Sequence, residues 1–377
     1  VAWGDQDGDG DDDVYLLRGD ATNRLLRNDG GQFVDITAAP LDGSGGGWAA
    51  SWGDHDGDGL IDLYIANIAV GTGGAPNQFL RNLGNGIFEE AHTGDVQIVG
   101  QASQASWIDL DHDGLLDVYI SHLSPDETTP NALLSGVAGL SIDTPAGLAL
   151  AGSNHSFVWS DLDGDGDEDC VLVRDDDTPL LLLRQPDGSF SQTLLDPGHG
   201  IGGQGVSAAD FDNDGDMDLF ITRWGAPNRL LVNDGHAGFA SADIPMIADS
   251  RNSQAAAWGD FDNDGWLDLY VVNYDGPDEL YRNDQAGAFL RASEGMMAAS
   301  GPAVAATWCD PDGDGWLDLY LPRDGSANRL LKNSGLSSGH WARVVLRGAT
   351  SNRDGFGGRV QLYAGPLVQT REIRSHH

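Results

Sequence analysis

The sequence predicts an all-β protein: a seven-bladed β-propeller with four-stranded blades of about fifty residues, followed by a small β-rich C-terminal segment. Three observations carry that expectation. One acidic loop motif occurs seven times, with its first aspartate at positions 5, 54, 109, 161, 210, 260 and 310, so the unit recurs every 49–55 residues. Between the loops run short apolar stretches bounded by Gly, Asn and Asp, with no helical periodicity. A repeating β unit of that length is the size of one propeller blade.

The stretch from Trp52 to Asn67, WGDHDGDGLIDLYIAN, shows the unit most plainly. Asp54, Asp56 and Asp58 alternate with other residues, Gly59 turns the chain, and Asp62 leads into the apolar run Leu63-Tyr64-Ile65. Carboxylates at every second position of a tight loop converge on one hard cation. Without a cation, four of them crowded into a partly desolvated loop repel by several kcal/mol.

The candidate ligand quartets are Asp5, Asp7, Asp9 and Asp13; Asp54, Asp56, Asp58 and Asp62; and Asp109, Asp111, Asp113 and Asp117. They continue with Asp161, Asp163, Asp165 and Asp169, and with Asp210, Asp212, Asp214 and Asp218. The last two are Asp260, Asp262, Asp264 and Asp268, then Asp310, Asp312, Asp314 and Asp318. The sixth loop position is glycine in every repeat. An EF-hand is excluded, because its twelfth position is a bidentate Glu between helices. Here the twelfth positions are Leu16, Ile65, Ile120, Leu172, Ile221, Val271 and Leu321, all in strand-like runs. Calcium, up to seven ions with one per blade, suits such flexible oxygen cages better than magnesium does. A backbone carbonyl at the seventh position (Leu60, Leu115, Trp266) is expected to help complete the shell.

Each repeat continues with three further strands. The third opens on segments such as NRLLRNDGGQF from Asn23 and NRLLVNDGHAGF from Asn228, whose Asp-Gly steps mark hairpins. Units three and four keep the apolar pattern but lose the polar markers (NALLSGVAGLSI, PLLLLRQPDGSF). Trp3, Trp52, Trp107, Trp159, Trp258 and Trp308 stand two residues before the first aspartate, with Ala208 in the fifth unit. Such a stripe is either a sugar-stacking platform or inter-blade core, and core is the expectation. Pro76-Asn77, Pro130-Asn131 and Pro227-Asn228 read as turns that start the third strand.

Over 377 residues the formal net charge is −39, from 59 acidic and 20 basic side chains. Seven divalent cations would reduce it to about −25, still acidic enough to argue against nucleic acid or an anionic membrane as partner. Nothing approaches the length of an apolar membrane span. Cys170 and Cys309 fall in the fourth and seventh units, so they read as separate buried thiols. The chain begins at Val1 inside a repeat and reads as a fragment or processed product. Low-affinity calcium loops suit an extracellular setting. Beyond the repeats, Arg343, Arg347, Arg353, Arg359, Arg371 and Arg374 make the C-terminal segment basic, and docking on the acidic propeller is expected ahead of anion binding.

The D-x-D-x-D-G-x-x-D-[LV]-Y units followed by N-R-L-x-x-N-x-G resemble FG-GAP/VCBS repeats, which build the integrin α-chain propeller. SNRDGFGGRVQLYAG resembles the ASPIC/UnbV domain, and together they resemble the cartilage-acidic-protein-like family. The resemblance implies a propeller over residues 1–335, one calcium loop between the first two strands of each blade, and an ASPIC/UnbV-like segment over 336–377. Members of that family carry an upstream strand that closes the ring, and the repeat here starts at its first strand. Closure is therefore expected from residues near Trp341 to Leu346 or not at all.

The resulting reading is a calcium-stabilised recognition or adhesion scaffold, secreted or at the cell surface. It would bind a protein or glycan through the face opposite the metal loops. Candidates there are Arg18, Asn67, His122, Arg223, Trp224, Asn273, Tyr274 and Arg323, with His155, His199, Gln204 and Asn252 from the connections between blades. Arg18-Gly19-Asp20 spells an integrin-recognition tripeptide, which a repeat rich in these residues produces by chance. One alternative is a polysaccharide lyase or hydrolase, for which the scattered Glu and His residues offer no catalytic spacing. The other is a structural module of a larger secreted protein.

Overall fold

A computed structural model of the chain describes all residues except 19–20, 44–45, 69–75, 92–94, 99, 125–127, 137–138, 176–177, 196–202, 243, 245–250, 293–302, 336–339 and 376–377. The described residues form 29 strands and no helix. Seven antiparallel sheets succeed one another along the chain, each a meander with its strands in sequence order, and they form a seven-bladed propeller. A two-stranded hairpin, Arg359–Ala364 with Leu367–Glu372, follows.

Six blades have the expected four strands. The seventh has three among the described residues: Thr307–Cys309, Asp318–Leu321 and Arg329–Leu331. The closing strand expected near Trp341 to Leu346 does not form, for the chain there is drawn over the loops instead. Side chains join the last blade to the first. Trp3 meets Tyr320 edge-on with ring centroids 5.5 Å apart, and Asn28 Nδ2 donates to the Pro311 carbonyl at 2.8 Å.

The apolar runs form the core between blades rather than within one. Tyr15 and Leu25 of blade 1 pack with Trp52, Leu63 and Leu80 of blade 2, and five similar clusters join each later pair. Face-to-face sheets bury both surfaces of a strand, which explains continuous runs such as Leu63 to Ala66 in place of strict alternation.

The tryptophan stripe is core, as expected. Trp52, Trp107 and Trp159 are buried, and the Trp52 and Trp107 indole N–H groups donate to the inner strand of the preceding blade, at Ala2 and Ser51. Gly4, Gly53 and Gly259, each following a stripe tryptophan, make room for the tryptophan of the next blade. A Cβ on Gly53 would lie 2.7 Å from Trp107 Cγ. Gly53→Ala is therefore expected to cost about 1–3 kcal/mol by overpacking. A thermal melt at fixed calcium checks this, and an unshifted midpoint would mean that the blade interface has slack.

The polar markers lost in units three and four are inter-blade ties. Asn82 Nδ2 donates to the Gln6 carbonyl of blade 1 at 2.8 Å, and Asn28, Asn233, Asn283 and Asn333 do the same toward their preceding blades. Gly136 and Arg184 stand at this position in blades 3 and 4. Cys170 and Cys309 are buried free thiols.

Candidate metal centres and the opposite face

Because every blade is a meander, all seven first-to-second strand loops emerge at one end of the ring. In blade 2 the Asp58 amide donates to Asp54 Oδ1 at 3.1 Å and the Gly59 amide to Asp54 Oδ2 at 3.0 Å. The third aspartate then accepts the seventh-position amide, Leu60 to Asp58 at 2.9 Å. The sixth-position glycines hold φ between 84° and 103°, where a side chain would be strained. Fourth positions are also left-handed, and where they are not glycine they are His112, Asn213 and Asn263.

This wiring brings the carboxylates together. Asp5, Asp7 and Asp13 offer ligand oxygens within 4.8 Å of one another, as do Asp54, Asp56 and Asp58; Asp109, Asp111 and Asp113; Asp161, Asp163 and Asp169; and Asp210, Asp212 and Asp214. The ninth-position aspartates carry a second duty that the loop pattern did not reveal. They open the second strand, where Asp62 Oδ2 accepts the His55 amide and Oδ1 the Asn82 amide at 2.8 Å. Asp13, Asp117, Asp169 and Asp268 bridge loop and third strand in the same way.

The residues fit a hard divalent cation. The donor set is all oxygen, the choice of calcium, magnesium or manganese rather than of softer metals. Asp210 is fully buried, yet neither of its carboxylate oxygens has a hydrogen-bond partner; the Gly215 amide and Thr370 hydroxyl lie near without closing one. Asp7 Oδ1 and Asp312 Oδ1 are orphaned in the same way. Burial pushes Asp62, Asp218 and Asp268 up to about 8, and Asp117 and Asp169 to about 7, although backbone amides pull the other way. Neighbouring loop aspartates raise all five further. A divalent cation held among these carboxylates would remove that repulsion.

The C-terminal segment crosses this loop face and reaches every blade. Arg343 Nη1 donates to the Gly10 carbonyl at 3.0 Å, and Arg353 Nη1 to Asp54 Oδ2 at 3.1 Å. Asn352 Nδ2 donates to Asp109 Oδ2 at 3.2 Å, and Arg374 Nη1 to the Ala208 carbonyl at 2.9 Å. Ser160 of blade 4 donates to Glu372 Oε2 at 2.8 Å, while Leu367 and Trp341 cover Gly265 and Gly315. The basic segment docks on the acidic ring, as its composition predicts.

At the other end of the ring, four of the candidates are not surface groups. Asn67, His122, Arg223 and Asn273 are buried. They end second strands, where their amides donate to Asn77, Asn131, Asn228 and Asp278 at the start of the third strand. Burial takes His122 down to about 4. Arg18 and Arg323 sit at the same bend, their amides bonded to Asn23 and Asn328. Gln204 is engaged with Asp175, and His155 is half-buried. His199, Gly19 and Asp20 lie outside the described residues.

Trp224 and Tyr274 are different. They occupy equivalent turns of adjacent blades, are 42% and 40% exposed, and their ring centroids lie 5.4 Å apart at 45°. Beside them, Asn252 accepts the Tyr274 amide through its carbonyl and donates Nδ2 to Asp275 Oδ2 at 2.8 Å.

The family model described as FG-GAP-like repeat matches residues 5–65, 161–221, 217–271 and 260–321, more than half of the chain. A comparison with curated proteins finds no match. Among solved structures, the chain is similar to the BP39L lectin from Burkholderia pseudomallei, with TM-score 0.61 and 15% identity over 90% of this chain and 96% of that one. It is also similar to BBS1N in complex with ARL6DN, at TM-score 0.58 and 11% identity over 89% and 92%. YCF48 bound to D1 peptide gives TM-score 0.53 and 10% identity over 82% and 84%. At these identities the likeness is one of fold.

Proposed function

The chain belongs to the FG-GAP-like repeat family, and from that premise we propose that it is a calcium-stabilised, extracellular recognition module. Its ligand, a glycan by preference over a protein, binds on the face opposite the metal loops. The observation that carries the reading is the exposed Trp224–Tyr274 pair, flanked by Asn252 and Asp275. Aromatic faces receive the C–H surface of a sugar ring, while amide and carboxylate groups take its hydroxyls. The loop face is already covered by the chain's own residues 341–375, which leaves the opposite face for a partner. Proteins of similar fold include a lectin and others solved with a protein or a peptide, so a scaffold of this kind accommodates such work. The C-terminal segment is read as ASPIC/UnbV-like, with a role in holding the loop face.

An enzymatic reading has weaker support. Glu168 and Glu372 come together, but both side chains are buried where the tail meets the ring, beside Arg374. The test of recognition is a glycan and protein array screened in calcium with the unaltered chain and with Trp224→Ala and Tyr274→Ala. Losing a stacked ring removes about 1.5–3 kcal/mol, so bound signal is expected to fall at least about tenfold. Binding that is unaffected by either change would remove this site from the account.

A further inference from the structure

We propose that the seven cation sites divide into two affinity classes, set by the residue that precedes the inter-blade asparagine or its replacement in the third strand. The inference rests on the reading that the loops hold calcium. In blade 2 that residue is Arg81, whose guanidinium pairs with Asp56 and lies 3.7 Å from Asp58 Oδ2. In blade 7 it is Lys332, paired with Asp312 and 3.8 Å from Asp314. Arg282 of blade 6 lies 3.7 Å from Asp262 Oδ2. In each case a fixed positive charge sits on the second or third carboxylate of the quartet, the groups that converge on the ion.

Among the described residues, the other four loops show no direct ion pair between the quartet and this third-strand position, although tail arginines act at longer range on Asp161 and Asp210. Ser135, Leu183 and Val232 occupy the position in blades 3, 4 and 5 and carry no charge. Arg27 of blade 1 makes its direct ion pair with Asp29, at 3.0 Å, outside the quartet, and acts on Asp7 only at longer range. Asp210, whose carboxylate oxygens have no hydrogen-bond partner, is in one of these four loops, where its nearby cation is Arg371 of the tail rather than a third-strand residue. A resident cation both occupies an acceptor oxygen and repels an incoming dication, so blades 2, 6 and 7 bind calcium more weakly than blades 1, 3, 4 and 5. The same charges partly neutralise their loops when no metal is bound.

Calcium titration of the metal-stripped full chain by calorimetry tests this against the triple variant R81Q/R282Q/K332Q. The unaltered chain is expected to show four tight and three weak sites, separated by roughly tenfold. In the variant the weak class moves into the tight one, whereas R81K/R282K keeps two classes. A single class in the unaltered chain, or an unchanged isotherm in the variant, overturns the proposal while leaving calcium binding intact. No calcium uptake at all overturns the underlying reading as well. Melting supplies an independent readout. The variant should melt below the unaltered chain in chelator and at or above it in saturating calcium, while a merely structural clamp would lower both.

Discussion

Chelation of divalent cations is expected to lower the melting temperature by on the order of 20 °C at neutral pH, and by less at pH 5. A site held at a hundredfold excess over its Kd contributes about 2.7 kcal/mol by mass action, and seven of them about 19 kcal/mol. A chain of 377 residues unfolds with an entropy of about 0.8 kcal/mol per kelvin, which converts that sum to roughly 20–25 °C. The pH dependence follows from the buried carboxylates. In the metal-free fold Asp62, Asp218 and Asp268 are raised to about 8 from an unfolded value near 3.8, chiefly by burial. The folded chain thus binds more protons than the unfolded one between about pH 4 and 8. Metal-free stability is fully present below that window and is lost as pH rises through it. Calcium requires the ionised carboxylates, so its contribution grows over the same window. Scanning calorimetry with and without chelator at pH 5 and pH 8 checks both signs; a gap that narrows toward pH 8 would contradict the mechanism.

Arg374→Ala is expected to release the C-terminal segment from the ring. Arg374 pairs with Glu372, whose side chain is 3% exposed, and its Nη2 lies 3.3 Å from Ser160 Oγ. Glu168 lies behind them, raised to about 8 by burial and then by the Glu372 charge, with Arg374 pulling the other way. Removing the cationic partner of a buried ion pair costs about 3–5 kcal/mol, because the remaining carboxylates keep their desolvation penalty. The buried residues of the core clusters between blades come from the blades alone, so this cost falls on docking rather than on the propeller. Hydrogen exchange should lose protection in residues 352–375 while the inner strands keep theirs, and Arg374→Lys should restore part of it. Unchanged protection in the alanine variant would mean that the tail is held elsewhere.

The blades and loops were legible because each is specified locally. Seven Asp quartets, the sixth-position glycines and the alternation of β-prone runs with turns determine strand, loop and period without distant contacts. The tryptophan stripe was legible as core for the same reason, since inner strands of a ring must pack on their neighbours. The rest depends on how neighbouring segments meet. Asn82 looks like a turn residue until blade 1 presents the Gln6 carbonyl to it. Asp62 looks like a ligand alone until the amides of His55 and Asn82 converge on it. Asn67, His122, Arg223 and Asn273 looked like loop-tip groups, but they fall at the strand end where the returning turn buries them. Of the two outcomes expected for ring closure, residues 341–346 form no strand, and this basic stretch lies on the acidic loops instead, where Arg343 meets Gly10 and Asp12.

The most direct test is the number of ions held by the intact chain. Native mass spectrometry after equilibration in calcium, with magnesium in parallel, reads it. The account predicts uptake of up to seven calcium ions, one for each quartet, with each Asp210→Asn or Asp56→Asn substitution removing one. A chain that retains its folded charge distribution and binds no calcium would contradict it.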